Sequence, residues 1–145
     1  IKRFNWVRGG DINIAEGVSS QKGEKKYWTN GFYSLVNTLD LETAKTRDDY
    51  VESILQTDTL TNLIDQIQYK DRPIDLLSVD GEGHDFTILK SSDFERYDPK
   101  LIVAETFACT LDEVLDLGIT KFLRANNCNL VNWVGFSLML RKKVT

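Results

Sequence analysis

The densest run of chemistry-bearing side chains in this sequence is Asp80-Gly81-Glu82-Gly83-His84-Asp85, which holds three carboxylates and the only histidine of the chain. An imidazole titrates near neutrality, so His84 is a candidate general base, with Asp80 or Glu82 placed to orient it and support its charged form. Asp80, Glu82 and His84, joined by Glu105, also have the hard-donor character that suits a divalent cation such as Mg²⁺ or Mn²⁺. A structural reading stands beside these. Acids and glycines build ordinary strand-to-helix turns, and Asp85 then serves only as a helix N-cap.

The surrounding elements must present this window. Residues 74–79 (IDLLSV) and 101–104 (LIVA) are apolar on both faces, the pattern of parallel strands covered on both sides. Asp80 follows the first and Glu105 the second, so two neighbouring strand ends offer acids to one crevice, where open α/β sheets bind ligands. Gly81 and Gly83 allow a sharp turn into a short helix over 85–90.

Upstream, the spacing predicts a strand over 11–20, a turn at Lys22-Gly23, a strand over 25–28 and another over 50–57, where a helical turn is the alternative. Leu60, Leu63, Ile64 and Ile67 fall at helical spacing behind Asp58 or Thr59 as N-cap. Residues 29–49 show no clean period and are read as a long loop or substrate lid, with short helices the alternative. Downstream, Thr110 and Glu113 have capping-box spacing before a helix reaching Ala125, broken near Gly118. Residues 129–134 and 136–141 then form an antiparallel hairpin around Gly135. The order of elements predicts a single α/β domain over 1–145, with a mostly parallel sheet and the hairpin at its edge.

Composition narrows the function classes. The 145 residues are 41% hydrophobic and 28% charged, with a formal net charge of −4, which is ordinary globular composition without the basic footprint of a nucleic-acid binder. No apolar run reaches membrane-spanning length and no leader pattern opens the chain. Cys109 and Cys128 have neither zinc nor redox spacing and read as small buried reduced thiols, which implies a cytoplasmic location. Trp6, Trp28 and Trp133 read as core or rim residues rather than a stacking platform. The sequence has no dinucleotide fingerprint, P-loop, serine elbow or zinc-protease helix motif.

Residues 74–105, IDLLSVDGEGHDFTILKSSDFERYDPKLIVAE, resemble the FkbM-type family of S-adenosylmethionine-dependent methyltransferases. The likeness lies in the strand, Asp80, Glu82, Gly83, His84, Leu89-Lys90, Pro99 and the strand ending at Glu105. DINIAEGVSSQKGEKKYW is similar to the family's third strand and following hairpin, and FLRANNCNLVNWVGFSLMLRK to its closing helix and strand pair. The resemblance implies a class I methyltransferase (Rossmann-like) sheet, with S-adenosylmethionine as cofactor and a hydroxyl of a sugar or other small polar substrate as acceptor.

Under that resemblance Asp80, Glu82 and His84 are the catalytic, acceptor-side residues, with His84 the base, while Glu16, Gly17 and Val18 border the adenine. Gly81 departs from the family's usual Val and Asp85 from its usual Glu. The family's first strand, Gly-rich cofactor loop and second strand have no counterpart in a sequence that begins at Ile1, so an N-terminally truncated domain is expected. Two other classes remain: a non-catalytic α/β binding module derived from this fold, and a metal-dependent hydrolase using Asp80, Glu82, His84 and Glu105.

Overall fold

The structure is a computed structural model that describes residues 2–30, 38, 39, 41–46, 49–68 and 70–143. It divides into two compact units, Ile1–Lys70 and Asp71–Thr145. Both contain strands and helices, which makes the chain an α/β protein with two mixed sheets.

The N-terminal unit runs α1 (Lys2–Val7), β1 (Gly17–Val18), β2 (Gly23–Thr29), α2 (Leu41–Lys45), β3 (Val51–Asp58) and α3 (Leu60–Asp65). Its sheet has the order β1-β3-β2, with β2 antiparallel and β1 parallel to β3. The β2–β3 register runs from Gly23 opposite Thr57 to Thr29 opposite Val51, so β2 is longer than the expected 25–28. Helix α3 begins where expected. Thr59 is extended (φ −72°, ψ 153°) and its hydroxyl accepts from the Asn62 amide, satisfying one of the free N–H groups of the first turn. Asp58 reinforces the cap by accepting from the Thr59 amide and from Asn62 Nδ2.

Two expectations fail in this unit. The alternating run at 11–20 forms a strand only at Gly17 and Val18, which alone lie opposite β3, while Ile12 and Ile14 stay exposed. Alternation does not make a strand where no neighbour takes up the backbone groups. Residues 2–7 form α1, and its Trp6, expected at the core or rim, is 86% exposed. Within the proposed lid, helix α2 forms and Thr38 bridges Trp28; residues 31–37, 40, 47 and 48 lie outside the described residues.

The C-terminal unit runs β4 (Leu76–Ser78), α4 (Asp85–Lys90), β5 (Leu101–Glu105), α5 (Leu111–Asp116), α6 (Gly118–Ala125), β6 (Cys128–Val134) and β7 (Ser137–Lys142). The sheet order is β4-β5-β7-β6, with β4 and β5 parallel and the other two pairings antiparallel. The single, mostly parallel sheet is therefore corrected to two sheets in which antiparallel pairs are the majority. The closing hairpin inserts β7 between β5 and β6 and reverses strand direction there. The hairpin itself forms at the edge as expected, with Gly135 at φ +57° opening its two-residue turn.

Leu89, Ile102, Val114, Leu123, Leu138 and Leu140 form the fully buried centre of this unit. The burial expected on both faces of β4 does not hold: Leu76 is 55% exposed and only Val79, just past the strand, is buried. Within this unit β4 is an edge strand paired only with β5, so one side lacks a neighbour. The helical stretch after Thr110 breaks as expected, Leu117 turning extended (φ −56°, ψ 141°) between α5 and α6. Glycine is needed at 118 because a Cβ there would sit 2.9 Å from Phe86 Cε1, where α6 approaches α4.

Candidate functional site

The turn after β4 is held by a hydrogen bond from the His84 amide to the Gly81 carbonyl, 3.0 Å long. Its two central residues, Glu82 (φ +49°) and Gly83 (φ +88°), are both left-handed, the signature of a type I′ turn. Gly83 takes this conformation without penalty, whereas a residue with a side chain holds it at a cost of about 1–2 kcal/mol. Glu82 is thus kept strained at a position where the sequence places chemistry. Gly81 is not left-handed. A Cβ there would lie 2.6 Å from the movable end of Ile88 (Cδ1) and 3.2 Å from both Asp85 Oδ2 and the Asp85 amide nitrogen, so a side chain at 81 would crowd the start of α4.

His84 occupies the N-cap position of α4, and its side chain makes no cap hydrogen bond. Among the described residues no hydrogen bond or ion pair joins it to Asp80 or Glu82. Asp85 is not the cap; it is buried, and its carboxylate receives the amides of Gly81 and Glu105.

A cleft of about 750 Å³ opens at the carboxyl end of β5, between the α4 entry turn and helices α5 and α6. Its lining includes Asp85, Phe86, Glu105, Phe107, Asp112, Glu113 and Asp116, and no Lys, Arg or His among the described residues. Burial pushes the Glu105 carboxyl above the ordinary glutamate range, and the negative charges of Asp80, Glu82 and Asp85 push it further. Glu105 therefore holds a proton more tightly than a solvated carboxylate. Part of the charge on α5 is already engaged. Glu113 Oε2 accepts from the Cys109 amide at 2.8 Å, a capping box displaced by one residue, and Asp116 pairs with Lys121 at 2.5 Å.

Of the acids at the two strand ends, Asp85 and Glu105 line the cleft, whereas Asp80, Glu82 and His84 do not; Asp80 and Glu82 act on Glu105 through their charge. Among the described residues no three His, Cys, Asp or Glu side chains converge as metal ligands, so the set of Asp80, Glu82, His84 and Glu105 does not assemble around a cation. Asp85 takes two backbone amides instead, and the left-handed turn carries Glu82 separately. The cleft residues on α5 were missed by sequence reasoning. Their signal was present, since Asp112, Glu113 and Asp116 share one helical face behind the Thr110 cap.

Glu16, Gly17 and Val18 belong to the N-terminal unit, at β1. A Cβ on Gly17 would lie 2.5 Å from Leu55 Cδ2, so cross-strand packing by itself accounts for glycine at that position. The cysteines form no disulfide. Cys128 is buried as expected, and burial pushes its thiol up, which keeps it inert, whereas Cys109 is exposed, against expectation, on the loop leading to α5. No helix among the described residues is long and apolar enough to cross a membrane.

Comparison with protein families matches residues 8–129 to the methyltransferase FkbM domain. No curated protein and no solved structure matches the chain.

Proposed function

The chain belongs to the FkbM methyltransferase family, and from that premise we propose that it moves a methyl group from S-adenosylmethionine to a hydroxyl oxygen of a sugar or another small polar acceptor. The observation that carries this reading is the acid-lined cleft at the end of β5. When bound, the cofactor supplies an electrophilic methyl group on a cationic sulfur. The residues of the cleft fit such a group: its volume is that of a small-molecule site, its carboxylates suit a cation, and Phe86 and Phe107 offer apolar and π surface.

In this reading Asp80 lies near the donor, and Asp80, Glu82 and His84 form the acceptor side. The attacking hydroxyl must lose its proton as the new C–O bond forms, and His84 is the base assigned to receive it. Glu105 is the second candidate, favoured by its place on the cleft wall and its raised proton affinity. The carboxylate lining disfavours an anionic acceptor. Unpaired cysteines suit a reducing compartment such as the cytoplasm.

Calorimetric titration of S-adenosylmethionine and S-adenosylhomocysteine into this chain, and into a version extended upstream, tests the reading first. Binding is expected; no binding to either form would favour a non-catalytic α/β module. With an active form in hand, His84→Ala is expected to cut turnover by roughly 10²- to 10⁴-fold with the fold retained. If turnover is unchanged in His84→Ala and falls in Glu105→Gln, the base is Glu105.

A further inference from the structure

Asp85 is 3% exposed, and both of its carboxylate oxygens are used. Oδ1 accepts from the Glu105 amide at 2.9 Å and Oδ2 from the Gly81 amide at 3.2 Å. These two amides have a particular place in the sheet. The β4–β5 ladder is parallel, with Ser78 opposite Val103, and its last backbone bond runs from the Val79 amide to the Val103 carbonyl at 2.8 Å. Continuing that register by one rung, the Glu105 amide would donate to the Val79 carbonyl and the Gly81 amide to the Glu105 carbonyl. Both donors of the next rung go instead to a single side chain, Asp85.

We propose that Asp85 is a positioning residue of the site: its carboxylate takes the place of the next β4–β5 rung, holding the two strand ends apart and tied, so that Glu105 and Gly83, the turn residue between Glu82 and His84, face one cleft. The assignment to a catalytic site rests on the methyl-transfer reading; the splitting of the ladder does not. Two features of the chain agree with the arrangement. A carboxylate satisfies two converging N–H groups with no donor of its own to place, and such charge-assisted bonds exceed neutral ones in strength. Glycine at 81 is the complementary half, since a Cβ there would sit 3.2 Å from Asp85 Oδ2 and 3.2 Å from the Asp85 amide nitrogen. The short acid at 85 and the missing side chain at 81 therefore act as a pair.

The experiment is residue-resolved amide hydrogen exchange on the full chain, wild type against Asp85→Asn, with the Glu105 carboxyl carbon resonance followed in the same samples. Asparagine keeps one acceptor oxygen and turns an NH₂ toward the other amide. Exchange at residue 81 or at Glu105 is expected to rise about tenfold or more, the size of one lost hydrogen bond, with Val79 protection kept. The Glu105 resonance is expected to move with it. Wild-type protection at both amides would overturn the proposal, as would an equal loss at Val79, which would mark a general loss of stability.

If Asp85→Asn does not fold, Gly81→Ala serves, because its methyl group crowds Asp85 Oδ2 and not Oδ1, besides meeting Ile88 Cδ1 and the Asp85 amide nitrogen. It is expected to deprotect residue 81 and leave Glu105 protected; protection unchanged at both, or lost equally at Val79, would overturn the proposal. Binding of S-adenosylhomocysteine to the wild-type chain and to its upstream-extended version, measured separately, reports on the methyl-transfer reading. Its absence from both would sink that reading while the exchange result on Asp85 stands.

Discussion

Glu105 and Asp58 are carboxylates moved in opposite directions, and the causes decide what each does to stability. Glu105 is pushed up first by burial and then by Asp80, Glu82 and Asp85, so the folded chain holds its proton more tightly than the unfolded chain does. Stability then falls as pH rises from the ordinary glutamate value, about 4.3, through the folded one. Glu105→Gln is expected to stabilise the protein at neutral pH and to flatten that part of the curve, read as urea midpoints across the pH range. Asp58 is lowered, chiefly by the hydrogen bond from Asn62 Nδ2 and helped by the Thr59 amide and Lys22, against the opposing effect of burial. Its contribution is present above the ordinary aspartate pKa, about 3.9, and is lost as pH falls through the folded value. Asp58→Asn should remove that acid sensitivity; an unchanged acid limb in the denaturation curve would refute it. At this scale the sequence singled out Glu105, Asp85 and Asp58 but not their partners. Asp85 was legible as a carboxylate beside a turn, while its two amide donors come from residues four and twenty positions away.

Among the elements, helix starts were legible because a cap is a local event. The Thr59 and Thr110 hydroxyls each accept the amide three residues on, and Thr59→Ala or Thr110→Ala is expected to cost about 1 kcal/mol in chemical denaturation. The break between α5 and α6 was legible from Gly118, but its reason was not. The missing Cβ makes room for Phe86 on another helix, so Gly118→Val is expected to lower the melting temperature while Phe86→Ala in the same background recovers part of the loss. Strands were read less well. β1 has two residues where ten were expected, and β4 is exposed where apolar faces implied cover. A strand is defined by its neighbour, and the identity of that neighbour is not written in the strand's own residues.

For the molecule as a whole, the α/β class was visible in the alternation of apolar runs and helical spacing, and the likeness to FkbM methyltransferases was carried by residues 74–105. The division into two units and two mixed sheets was not visible, because pairing choices depend on contacts distant in sequence. Leu123 stands for what the C-terminal unit depends on. It is fully buried with Val114, Leu138 and Leu140, and Leu123→Ala is expected to cost about 2–5 kcal/mol, a cavity penalty measurable by denaturant titration.

By itself the sequence determined the helix caps at Thr59 and Thr110, the hairpin at Gly135, the acids that follow two strands and the family they belong to, because each rests on residue types at short spacing. The tertiary structure alone decided that Asp85 occupies the next rung of a ladder, that burial and three like charges act on Glu105, and that acids on α5 share its cleft. The physical reason is distance along the chain: a carboxylate's chemistry is set by the donors and charges that folding brings to it, and these come from segments no local pattern connects.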